Sequence, residues 1–226
     1  MASVGNVLKR FGSGALETLK RLRYAFYILI HPFDGFFDLK NDPKRRTLPG
    51  AIVLLIFYAL THIIRRQTLG YLFTDPYEQL HLNLMYELMV AILPFILWSV
   101  ANWCFSSLMD GDGKLSDIFM GTCFATLPMS ICNLIQIPLS HFLTTAEQGV
   151  FTAIGSLGMV LAYAYVFLSM MIVHQYSVKK GVGTTILTIL GMAVIAFIVV
   201  LIFFLLQQMM SFVLSLGTEI IFRLNE

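Results

Sequence analysis

The sequence predicts an all-α protein: a polytopic transmembrane helical bundle of five spans, preceded by an N-terminal amphipathic helix at the membrane interface. Three observations lead there. The residues AVILMFWYC make up 58% of the 226-residue chain and charged residues only 12%. With the 16 glycines added, the apolar share is roughly 65%, where a soluble domain runs at about 45–50%. A globule of this size cannot hide so much apolar surface from water. Five separate runs reach the length of about 17–25 apolar residues that crosses a hydrocarbon core of about 30 Å. The first 46 residues, finally, carry a helical apolar stripe beside basic side chains.

In residues 1–46, Val4, Leu8, Phe11, Ala15, Leu19, Leu22, Phe26 and Ile30 follow one another at spacings of 4, 3, 4, 4, 3, 4 and 4. Lys9, Arg10, Ser13, Glu17, Lys20 and Arg21 lie away from that stripe. The pattern suits a membrane-surface anchor in which Leu19 and Leu22 enter the lipid while Lys20 and Arg21 meet anionic headgroups, each worth about 1 kcal/mol. It suits equally a helix packed across the cytoplasmic ends of the spans. Pro32 ends the helix at His31, because proline disfavours the helical region for its predecessor. Phe33, Phe36, Phe37 and Leu39 then form a second, short amphipathic turn, and Asn41-Asp42-Pro43 turns the chain into a basic cluster.

The transmembrane domain occupies residues 47–208, with spans at Leu48–Ile64, Leu84–Leu108, Ile118–Leu139, Val150–His174 and Thr184–Leu206. Backbone amides in hydrocarbon must be satisfied within the segment, so these runs are helices. Arg45–Arg46 and Arg65–Arg66 close the first span, and Pro138 nearly ends the third. Pro94 and Pro128 are expected to kink the second and third spans. Residues 209–226 are too short for a comfortable sixth span and contain Glu219; they read as an extension of the fifth helix or as an interfacial tail. The pairs Gly121/Ala125 and Gly158/Ala162 have small-xxx-small spacing and permit close helix approach.

Polar groups inside the spans are few. Glu87, Asn133 and Gln136 form a candidate intramembrane cluster expected to share hydrogen bonds, since each sits toward the same end of its span. The loop Asp110–Asp117 holds three carboxylates, but an EF-hand needs glycine at position six and a carboxylate at position twelve, where this loop has Leu115 and Gly121. A tight turn with a cap at Ser116 or Asp117 explains it without metal. Cys104, Cys123 and Cys132 lack metal-ligand spacing. Cys104 with His174 is the one conceivable thiol–imidazole pair, and it has no acid partner. No cofactor, metal or catalytic residue is expected, and the chain carries no HExxH, GxSxG, GxGxxG or phosphate-binding loop.

Net charge is only +2, and the basic residues cluster at the N-terminus, which excludes nucleic acid as a partner. With the N-terminus in the cytoplasm, the inner segments collect twelve basic residues and the outer ones three. The positive-inside rule then predicts a multi-pass protein of the cell membrane with its N-terminus inside and C-terminus outside.

The order of these elements resembles the Yip1-domain family of five-span membrane proteins in its compact bacterial form. The resemblance rests on His31-Pro-Phe-Asp-Gly-Phe-Phe-Asp-Leu39 before the first span, on Trp98 through the turn Gly111-Asp-Gly113, and on Phe119 through Pro128, ending Phe-Ala-Thr-Leu-Pro. It covers about residues 25–205. Eukaryotic members are linked to Rab GTPases and carry an Asp-Leu-Tyr-Gly-Pro type motif in a longer N-terminal region; no such motif occurs here. The resemblance implies a non-enzymatic integral membrane protein, a scaffold or accessory subunit associating with another membrane protein or with copies of itself. The alternative from the residues is a small-solute or ion transporter or channel using Glu87, Asn133 and Gln136.

Overall fold

The structure, a computed structural model, describes residues 23–43, 45–73 and 83–224. They form helices α1 (residues 23–30), α2 (Pro32–Asn41), α3 (Leu48–Thr68), α4 (Leu84–Ser106), α5 (Leu115–Phe124), α6 (Leu127–Phe142), α7 (Gln148–His174) and α8 (Val178–Leu224). Short 3₁₀ turns at Tyr71–Phe73 and Thr145–Glu147 sit between them, and no strand occurs among the described residues. Five helical segments are long and apolar enough to cross a membrane: Leu48–Thr68, Leu84–Ser106, Leu115–Phe142, Thr145–His174 and Val178–Ile220.

Of the N-terminal stripe, Val4 to Leu22, including Leu19, Lys20, Arg21 and Leu22, lies outside the described residues. Ala25 and Ile28 are buried against the bundle, while Phe26 and Ile30 face outward. The chain does break at His31, whose backbone leaves the helical region before Pro32 opens α2. Helix α2 repeats the division, burying Phe36 and Leu39 and exposing Phe33 and Phe37. The α1–α2 pair thus packs on the bundle and keeps an apolar outer face. It is tied down where the Tyr165 hydroxyl donates to the Leu29 carbonyl at 2.8 Å and the Phe36 ring meets Tyr165 edge-on. Beside it, Arg45 stacks over Tyr24 at 4.8 Å and pairs with Asp38. Burial pushes the Tyr24 hydroxyl above its usual range, which keeps it protonated as the donor to the Gly35 carbonyl.

Helix α3 starts where the Thr47 side chain accepts from the Gly50 amide at 3.1 Å. It runs a turn past the expected end at Ile64, so Arg65 and Arg66 are its last helical turn and not a loop. Cations there oppose the negative end of the helix dipole, which favours continuation. The Asn83 side chain caps α4 by accepting from Met85 and Tyr86, and α4 stays helical through Pro94 to Ser106, two residues short of expectation.

The third span is two helices. Pro128 lies in the first turn of α6 and not within a continuous kinked helix, because Ala125 and Thr126 interrupt the span just before it. Proline removes the amide that would bond back to Phe124, and the Thr126 hydroxyl takes the neighbouring Cys123 carbonyl at 2.8 Å. Pro138 does not end the span, which continues to Phe142. This broken span is the most buried of the five and packs against α3, α4 and α7. The expected cap at its start is also absent. Lys114 is the capping position, and Ser116 and Asp117 both hold Arg46, at 2.8 and 2.7 Å. Gly121 and Gly158 meet α7 and α6 so closely that a methyl group would strike Ser169 or Cys132.

Residues 209–224 continue the fifth span as one unbroken helix. At 1.5 Å per residue the 47 residues of α8 extend about 70 Å, more than twice the hydrocarbon thickness. Only its first part, around Thr184 and Thr188, is buried; Val194 to Leu216 is exposed along nearly all its length.

Candidate functional site

The first buried polar cluster joins the end of α3 to the start of α4. His62 and Arg66 lie four residues apart and so share one face of α3. Across from them, Glu87 is only 4% exposed. One carboxylate oxygen accepts from Arg66 Nη2 at 3.2 Å and Nε at 3.3 Å, and the other lies 3.3 Å from His62 Nε2. His62 Nδ1 and the nearby Arg65 Nε are buried without hydrogen-bond partners. This arrangement can clamp two spans together, and it holds an ion pair beside an imidazole within the membrane-spanning region.

Asn133 and Gln136, the residues expected to share hydrogen bonds with Glu87, have other surroundings. Both are buried on α6. Gln136 donates to the Phe151 carbonyl of α7 at 2.9 Å, while Asn133 Nδ2 and Gln136 Oε1 have no partner. Glu87 is instead held by α3. Sequence reasoning missed Arg66 and His62 because the arginine pair reads as a loop closing the span. The signal available was their i, i+4 spacing with a carboxylate at the beginning of the next span.

A second cluster lies at the opposite end of α4. His174, 2% exposed, ends α7. Its Nδ1 accepts from the Gly113 amide at 3.2 Å. That bond leaves the proton on Nε2, which donates to Asn102 Oδ1 at 3.0 Å. Asn102, fully buried, donates in turn to Thr188 Oγ1 at 3.2 Å, and Thr188 donates to the Thr184 carbonyl at 2.8 Å. Tyr176 stacks on the imidazole with ring centres 5.1 Å apart, and its hydroxyl donates to the Met109 carbonyl at 3.3 Å. Burial, reinforced by the charges of Asp110 and Asp112, pushes the Tyr176 hydroxyl above its usual range. Gly113 is required by close approach, since a Cβ there would strike the His174 ring and Val173. The polar loop 107–114 is thereby fastened to α4, α7 and α8 by one chain of side chains. Cys104 is exposed, and both ring nitrogens of His174 are engaged elsewhere, so the two do not form a pair.

Among the described residues no group of three or more His, Cys, Asp or Glu is placed to hold a metal. No curated protein and no solved structure matches the chain. The Yip1 domain does match, over residues 26–202, a stretch that takes in four of the five apolar helices entire and the buried first part of the fifth. It therefore includes both polar clusters, α2 and all but the first three residues of α1, and the chain belongs to the Yip1 family of membrane proteins.

Proposed function

We propose that the protein is a non-enzymatic scaffold or accessory subunit that associates with another integral membrane protein, or with copies of itself, through its lipid-facing helices. One observation carries this reading. Helix α8 exposes an apolar surface much longer than one bilayer crossing and, among the described residues, packs on the other helices only near its start. A partner helix would cover surface that the bundle leaves open. Purification in mild detergent tests it. A membrane protein, or a second copy, should co-purify with the full chain and be lost on deletion of residues 207–226, with the bundle still folded. A full-length chain that runs as a lone monomer would refute the reading.

The transporter reading draws on the Arg66–Glu87–His62 cluster and on the orphan amide atoms of Asn133 and Gln136. Glu87→Gln separates the two. Glutamine keeps the shape and part of the hydrogen bonding but abolishes charge and titration. An accessory subunit should keep its co-purifying partner. A substrate- or ion-driven flux in proteoliposomes that vanishes with Glu87→Gln would promote the transporter.

We place the protein in the cell membrane with its N-terminus in the cytoplasm, on the strength of the twelve-to-three distribution of basic residues. Single cysteines at Ser3, Glu147 and Asn225 check this. Glu147 is exposed between α6 and α7. An impermeant maleimide added outside should modify positions 147 and 225 and spare position 3; protection of 225 would put the C-terminus inside.

A further inference from the structure

A cavity of about 580 Å³ lies between α3, α4, α6, α7 and α8, within the range of about 300–1,000 Å³ typical of small-molecule sites. Tyr58, near the middle of the 21-residue α3, sets its depth close to the centre of the span. Its floor is buried, formed by Tyr58, Ala162 and Val166. At its mouth are Val90, Tyr163 and Ile189, all exposed on the lipid-facing surface, so a ligand enters sideways from the hydrocarbon.

The walls define the chemistry of that ligand. Among the described residues no lining side chain carries a charge, so none of them would neutralise a carboxylate or phosphate, and an ionic headgroup at this depth would be costly. Five of the lining residues are aromatic and three are methionines, side chains that favour a flat, polarisable ring. Tyr58 and Phe95 already meet edge-to-face, with centres 5.3 Å apart. The wall residue Trp98 has its indole N–H buried without a hydrogen-bond partner, and such a donor gains from any acceptor oxygen that reaches it. Pro94, also in the wall, removes the helical donor to the Val90 carbonyl, so the backbone here is polar as well.

We propose that this cavity binds the head of a neutral, lipid-soluble carbonyl compound of the quinone class, its ring between the aromatic and methionine side chains and a carbonyl oxygen accepting from Trp98. The site is separate from both polar clusters and from the exposed part of α8, so it stands whether or not the scaffold reading does.

Trp98 itself reports on the proposal. The chain has two tryptophans, and Trp103 is exposed to lipid, so Trp103→Phe leaves Trp98 as the only indole. In nanodiscs of fixed lipid content, a decyl-chain benzoquinone should quench Trp98 saturably, approaching one quinone per chain. Ile189→Phe narrows the mouth at an already exposed position and should remove the saturable component, with an unchanged thermal melt. Ala162→Phe fills the floor and should do the same if it folds. In the full chain with Trp103 retained, Trp98→Phe should weaken quinone affinity about fivefold, the effect of one lost hydrogen bond, read from the quinone concentration that gives half of the thermal stabilisation. Quenching that rises linearly with quinone content and ignores Ile189→Phe would mean mere partitioning and overturn the proposal. Equal competition by decylbenzene, which has the chain but no carbonyl, would overturn it in favour of plain hydrocarbon occupancy.

Discussion

Glu87→Ala should lower the stability of the folded bundle by about 2–3 kcal/mol, read as a shift in unfolding on titration with a denaturing detergent in mixed micelles. The direction follows from what remains behind. Glu87 is nearly inaccessible, and its two oxygens satisfy Arg66 on one side and His62 on the other. Alanine takes the Glu87 carboxylate away from the Arg66 guanidinium, which lies close enough to Arg65 for the two cations to repel. Breaking a fully buried pair costs about 3–5 kcal/mol; the lower figure applies because the Arg66 side chain is 33% exposed and can rehydrate. Glu87→Gln retains an acceptor for Arg66 and should cost about half as much.

Pairwise energetics provide the sharper check. If the clamp is the reason for the loss, Arg66→Ala combined with Glu87→Ala should be less destabilising than the sum of the two by about 1–2 kcal/mol. Strict additivity would show that Glu87 acts through packing alone. Removing His62 as well should then add little, since its bonded ring nitrogen has lost its acceptor.

The five spans were legible because the hydrocarbon length sets a run length that loops do not mimic. What failed were the ends, and each for a local reason. Arg65 and Arg66 look like loop residues by charge, yet they belong to the last turn of α3, where the dipole favours them. Pro128 looks like a kink and proves to be a helix start after a two-residue break, a distinction that depends on Thr126 bonding back to Cys123. In the described part of the N-terminal stripe, Phe26 and Ile30 face outward, and the docked face is the one carrying Ala25 and Ile28, smaller or branched side chains that fit against α2 and the bundle. Periodicity reveals that a helix has an apolar side; it does not reveal which of two apolar sides lipid takes and which the protein takes.

The sites were legible one residue at a time. Glu87, Asn102 and His174 each stand out as polar groups in apolar runs, but their partners are set by tertiary packing. Glu87 meets a residue 21 positions earlier, and Asn102 meets His174 across 72. The glycine-containing turn at Gly111–Gly113 was visible as a turn, but nothing local shows that its Gly113 amide serves a distant imidazole. The cavity between the helices had no sequence signal at all, because its aromatic and methionine walls are indistinguishable from lipid-facing positions until the helices are placed.

At the other end of α4, Asn102→Ala should cost about 3 kcal/mol, a fall of about a hundredfold in the folding equilibrium. Asn102 is wholly buried and bridges two groups with opposite needs, accepting from His174 and donating to Thr188. Alanine strands the His174 N–H, which costs about 1–3 kcal/mol when buried, and adds a small cavity. Thr188 suffers less because its own proton already goes to the Thr184 carbonyl, so Thr188→Val should cost only about 1 kcal/mol. His174→Ala has a different signature, since it frees the Gly113 amide and deprives Tyr176 of its stacking partner. Hydrogen exchange should then accelerate across residues 107–114 in that variant, while the Glu87 clamp keeps its protection at the far end of the same helix. Exchange in the loop that matches the unaltered protein would mean that His174 does not fasten it, and a zero coupling energy between Asn102→Ala and His174→Ala would mean that the two side chains do not act as one network.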